Sequence, residues 1–75
     1  MATTKFEYHS AWTDSLREEG ELRATRRMLL EVLAARSIEV SAVQRERVES
    51  TEDLEQLRAW HLDAIRAESS EDVFI

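Results

Sequence analysis

Residues 28 to 33, Met-Leu-Leu-Glu-Val-Leu, place apolar side chains all the way round a helix. At about 100° per residue, Met28, Leu29, Leu30, Val32 and Leu33 point in directions that span most of the circle, so no single boundary separates a wet side from a dry one. A chain of 75 residues has little interior in which to hide such a segment. At this size folding buries only about 60% of the unfolded surface, and stability is marginal. The segment therefore has to be wrapped by its own chain or covered by another. Helix is the expected form, because the sequence has no proline and a single glycine, Gly20, to interrupt it.

The rest of the chain divides into helices around that segment. Residues 1 to 9 have no helical period and read as an N-terminal arm carrying Phe6 and Tyr8, leaving 10 to 75 as one helical domain. Ser10 or Thr13 can cap a first helix over about 11 to 36, with Asp14, Glu18 and Glu19 near its positive end and Arg36 near its negative end. Ser37 ends it, and Ile38 and Val40 alternate inward across a short connection. Ser41 and Gln44 have capping-box spacing for a short second helix of about 42 to 49. Ser50 or Thr51 then starts a third helix of about 52 to 68. On it Leu54, Leu57, Trp60, His61, Ala64 and Ile65 fall within about 140° and form one core face. Ser69 or Ser70 caps a last turn that folds Val73, Phe74 and Ile75 back onto the bundle. The expected fold is all-α, a small helical bundle with a long first helix, a short second, a third and a terminal helical turn.

Composition removes several function classes. Without cysteine there is neither disulfide nor thiolate metal site, and two histidines are too few for a structural zinc centre. The net charge of −6 opposes general affinity for phosphate backbones. No run of 18 apolar residues exists, and Met1-Ala2-Thr3-Thr4-Lys5 lacks the apolar region of a signal peptide, so a cytoplasmic protein with no membrane contact is expected. His9 and His61 read as an arm residue and a hydrogen-bonded core residue. The carboxylates Glu68, Glu71 and Asp72 read as helix-capping and solvated groups rather than cation ligands. No strand-turn-helix elbow or glycine-rich loop positions a nucleophile. No enzyme activity, catalytic residue, metal or cofactor is expected.

A family resemblance rests on a longer pattern. Gly20-Glu21, the helix end Leu33-Ala34-Ala35-Arg36, Ile38-Glu39-Val40, Arg45-Glu46-Arg47-Val48, Thr51-Glu52-Asp53-Leu54-Glu55-Gln56-Leu57, Trp60, Ala64 and Asp72-Val73-Phe74 occur in that order, preceded by the aromatic lead-in Phe6-Glu7-Tyr8-His9-Ser10. The pattern resembles the helical C-terminal tail of bacterial recombination-promoting nuclease or putative transposase proteins, where the tail follows a PD-(D/E)XK nuclease domain. The chain departs from it in three ways. Ser37 stands where such tails place glycine, the Gly-Glu repeats shrink to Glu19-Gly20-Glu21, and no nuclease-type Glu-x-Lys pair is present, Lys5 being the only lysine. The resemblance implies a tail that multimerises a nuclease-like protein, or a free copy that joins or blocks that assembly, and it carries over no catalytic residue.

These readings lead to a self-association or docking module. Trp12, Leu16, Leu22, Met28, Leu29 and Val32 are assigned to an interface with another copy, a homodimer being favoured because one two-fold contact satisfies a single apolar stripe. Leu33, Ile38, Leu54, Leu57, His61, Ile65 and Phe74 are assigned to the intramolecular core. A full-length nuclease-like protein is the second candidate partner. The rival reading is a nucleic-acid contact module using Arg23, Arg26, Arg27 and Arg36, although Glu19, Glu21, Glu31 and Glu39 are spaced to neutralise them.

Overall fold

The structure, a computed structural model, describes residues 11–74, with side chains in the first helix described from residue 15 onward. Three helices, α1 (Ala11–Ala35), α2 (Ala42–Ser50) and α3 (Leu54–Arg66), are followed by a 3-10 turn over Ser70–Asp72. The all-α expectation holds, and no strand occurs among the described residues. The N-terminal arm, the cap at Ser10, His9, Ile75 and the Trp12 side chain lie outside the described residues. Thr13 lies inside α1 and so does not cap it.

Each boundary has a local cause. At the end of α1 the Ser37 amide donates to the Ala34 carbonyl at 3.0 Å and the Ile38 amide to the Leu33 carbonyl at 2.8 Å, the paired bonds of a Schellman motif. The apolar contact that accompanies this motif is present too, since Ile38 and Leu33 both belong to the core. The motif needs a left-handed residue, and Ser37 supplies it at φ 60°. A non-glycine residue there costs about 1–2 kcal/mol. Ser37→Gly is therefore expected to raise the melting temperature by several degrees, about 4–8 °C for each kcal/mol regained in a domain of this size. A thermal melt that is unchanged or lower would show that glycine's greater freedom in the unfolded chain outweighs the relieved strain.

The second helix starts as its sequence predicts. The Ser41 hydroxyl accepts from the Gln44 amide at 3.1 Å and the Gln44 side chain accepts from the Ser41 amide at 3.0 Å. The start of α3 differs from expectation. Ser50 is the last residue of α2 and Thr51 its C-cap, while Asp53 caps α3. A carboxylate beats a hydroxyl here because Asp53 accepts from two exposed amides, Glu55 at 3.0 Å and Gln56 at 3.4 Å, at the positive end of the helix. The third helix also ends two residues early, at Arg66, with Ala67 extended at φ −69°, ψ 153°. After it, the Asp72 carboxylate accepts from the Glu68 and Ser69 amides at 3.0 and 3.3 Å and holds the terminal turn.

Two arginine contacts fix the direction of packing. Arg26 donates to the Thr51 carbonyl at 2.7 Å, just before α3, and Arg36 donates to the Ala64 carbonyl at 2.8 Å and to the Ala67 carbonyl, at its far end. As α1 advances from 26 to 36 its neighbour advances from the start of α3 to its finish, so the two helices run parallel and α2 makes the return. With α1 at 25 residues and α3 at 13, about 37 Å against about 20 Å, the N-terminal part of α1 projects beyond the bundle. Every residue from Ser15 to Glu21 is exposed.

The core lies along the seam between these parallel helices. Leu22, Leu29 and Leu33 from α1 meet Leu57, Trp60 and Ala64 from α3, and Ile38, Val48, Ala67, Val73 and Phe74 close the ends. Leu29, Leu33, Val48 and Leu57 are almost fully buried. The Phe74 ring packs against Trp60 at 5.2 Å between centroids with a 59° tilt, and the Arg47 guanidinium sits 5.2 Å from the Trp60 ring centroid. Trp60 is thus clasped by α2 on one side and by the returning C-terminal segment on another.

Candidate interaction surface

The buried line of α1, formed by Leu22, Thr25, Leu29 and Leu33, occupies about 80° of the helix at 100° per residue. Met28 stands about 105° to one side of the centre of that line and Leu30 about 95° to the other. Their exposures differ. Leu30 is partly buried against the core while Met28 is 42% exposed. The cause is α2. Arg26, on the Leu30 side, reaches the Thr51 C-cap of α2, and Arg47 of α2 covers Trp60. These contacts place the end of α2 on the Leu30 side of the α1–α3 pair, and Met28 stands exposed on the other side.

The third helix contributes to the same uncovered side. Its buried line is Leu57, Trp60 and Ala64, from which His61, Leu54 and Ile65 stand about 70°, 90° and 110° away in one rotational sense. Val32 and Met28 stand on the opposite rotational sense of α1. For two parallel helices facing each other, opposite senses fall on the same side of the pair. Met28 and Val32 from α1 and Leu54, His61 and Ile65 from α3 therefore form one continuous face opposite α2. Val32, Leu54 and His61 are partly buried along its floor, while Met28 and Ile65, at 42% and 50% exposure, stand at its two shoulders. Leu62, also exposed, extends the apolar surface round the back of α3.

This arrangement revises the assignments made from sequence. Leu33, Ile38, Leu57 and Phe74 are buried, and Leu54 packs partly buried against them, as core residues should. Ile65 is not a core residue, and His61 is only partly buried. One neighbouring helix covers about half of the 140° stripe on α3, and these residues sit on the uncovered half. Leu22 and Leu29, assigned to an intermolecular interface, are buried within the monomer, Leu29 because the parallel course of α3 lies on its line and Leu22 at the level of the residues before α3, where Glu52 stands nearby. Leu16 is exposed on the projecting part of α1, and Met28 and Val32 lie on the open face. Val48 and Thr25 were not singled out as core residues. Two valines five residues apart on a nine-residue polar helix, of which only Val48 is buried, and a threonine among arginines give no periodic signal that would have marked them.

The arginine cluster is largely occupied. Arg26 and Arg36 are spent on backbone carbonyls of the chain itself, and Arg27 lies 4.0 Å from Glu31 one turn on. The bonds from Arg36 fall on unpaired carbonyls at the negative end of α3, where a cation is favoured. The Arg26 Nε is buried without a hydrogen-bond partner among the described residues, a local cost of holding its guanidinium against Thr51. Beside it, Ser15, Glu18, Glu19, Leu22, Arg23, Arg26 and Glu52 line a shallow open depression with carboxylates and guanidiniums intermixed. Among the described residues no three of His, Cys, Asp and Glu gather as a cation site would need, and no helix is long and apolar enough to cross a membrane.

No family model, curated protein or solved structure matches the chain.

Proposed function

We propose that the chain is a non-enzymatic self-association module, and the observation that carries this reading is the uncovered apolar face between α1 and α3. Burial of apolar surface is the main driving force for association, and this small domain places Met28 and Ile65 beside partly buried Val32, Leu54 and His61 instead of covering them with a fourth element. Residues 28 to 33 thus pack on α3 on one side and lie toward the end of α2 on another, and a partner would cover the third. The resemblance to the tail of PD-(D/E)XK nuclease or transposase-like proteins supplies a setting, in which the module gathers such proteins or, as a separate copy, enters or blocks their assembly. That setting rests on the resemblance alone. No reaction is proposed.

The nucleic-acid reading is the weaker one, since two of its four arginines are engaged with Thr51, Ala64 and Ala67 carbonyls and the chain carries a net charge of −6. Sedimentation over a concentration series tests the preferred reading. The 8.7 kDa chain is expected to give way to a species of twice that mass as concentration rises to about hundreds of micromolar, and to show no salt-sensitive retention on DNA. A chain that stays monomeric throughout, or DNA binding that weakens steeply with salt, would refute it.

A further inference from the structure

The face has two long edges, and at mid-height an exposed charge of opposite sign stands on each. Glu31 projects from the outer edge of α1, about 160° from its buried line, and Arg58 from the outer edge of α3, about 130° from its own. Both are exposed. They also stand at the same height. Glu31 is midway between Arg26 and Arg36, and Arg58 is close to midway between Thr51 and Ala64, the positions those arginines reach. Arg58 has no hydrogen-bond or ion-pair partner among the described residues, and Glu31 has only the 4.0 Å approach of Arg27.

Two copies can bring this face together about a two-fold axis in two ways. If the axis lies across the helices, α1 meets α1 and α3 meets α3, antiparallel, and each edge meets its own kind, acid beside acid and base beside base. If the axis runs along the helices, α1 of each copy lies on α3 of the other, parallel and at matched height. Met28 then lies within about one residue of the level of the partner's Leu54, and Val32 about two residues, roughly 3 Å, short of the level of His61. Each Glu31 edge meets an Arg58 edge, once on either side of the seam.

We infer that the occupant of the open face is a second copy of this chain in the parallel two-fold arrangement, with α1 on the partner's α3 and Glu31 paired with Arg58 across both edges. The inference rests on the self-association reading and specifies its geometry. Apolar burial supplies the attraction, and the edge charges choose between the two orientations, since like charges facing each other are disfavoured and opposite charges favoured.

A charge-exchange experiment tests it. Glu31→Arg and Arg58→Glu are made separately, each checked for unchanged helicity by circular dichroism, and dimerisation is measured by sedimentation for each variant and for their equimolar mixture. In the parallel arrangement each variant alone places like charges at both edges. Its dissociation constant is expected to rise by roughly tenfold. The mixture restores an opposite pair at both edges and is expected to return to within about twofold of the unaltered chain. If the unaltered chain dimerises but the mixture is no tighter than either variant, or if neither variant weakens association, the parallel arrangement is wrong while self-association stands. If the unaltered chain does not dimerise at all, both are overturned.

Discussion

Leu57→Asp is expected to abolish the cooperative melting transition of this chain. Leu57 is completely buried between α1 and α3, with Leu29 and Leu33 in the same core. An aspartate there loses the transfer free energy of a leucine side chain and places a carboxylate in the apolar core. Leaving a buried charge unpaired costs about 3–5 kcal/mol. A domain of this size holds about 4–11 kcal/mol in total. The loss is therefore comparable to everything the fold has, and far-ultraviolet circular dichroism should report a largely unfolded chain at room temperature. A sigmoidal melt within a few degrees of the unaltered protein would mean that the seam between the parallel helices is not the core.

Ile65→Glu is expected to do the reverse, abolishing association while sparing the fold. The side chain is 50% exposed on the shoulder of the open face, so a glutamate there remains solvated in the monomer. In a closed interface it would be desolvated against the partner's apolar residues, a change that costs several kcal/mol at an interface core. Sedimentation should give the 8.7 kDa species at every concentration, with a melting curve close to that of a dilute unaltered sample. Val32 is a poorer probe, because it is partly buried against the core and a charge there would disturb the monomer too. Loss of helicity in Ile65→Glu would place Ile65 in the fold itself, and unchanged mass would remove the face from any interface.

The sequence shows the elements plainly and their arrangement poorly. Ser41 and Gln44 mark a helix start by spacing alone, because each side chain answers the other's amide over a fixed distance of three residues. The Schellman ending could be read in part from Arg36-Ser37-Ile38, where an apolar residue follows a turn position. The choice of Asp53 over Thr51 could not, since both are competent caps and the decision depends on where α2 stops. The parallel course of α1 and α3 was also beyond reach. It is recorded in Arg26 and Arg36 finding carbonyls 25 to 31 positions away, and nothing local in either arginine distinguishes such a role from a surface ion pair. The division of the α3 stripe follows from that missing information. Leu57 and Ile65 look alike in periodicity, and only the position of the neighbouring helix makes one buried and the other exposed.

The parallel seam has a consequence for how the chain reaches its fold. Two parallel helices cannot be joined by a tight turn, so the C-terminal half of α1 finds its principal partner only after the chain has travelled through α2 and back. The bonds from Arg36 close loops of 28 and 31 residues. An antiparallel hairpin of helices would be stabilised as it grew, but here the entropy of closing such a loop is lost before Leu29 or Leu33 has anything to bury against. Neither α1 with α2 nor α2 with α3 contains a complete seam. Order in this chain therefore arrives as one event, set by the meeting of two segments that are distant in sequence and point the same way.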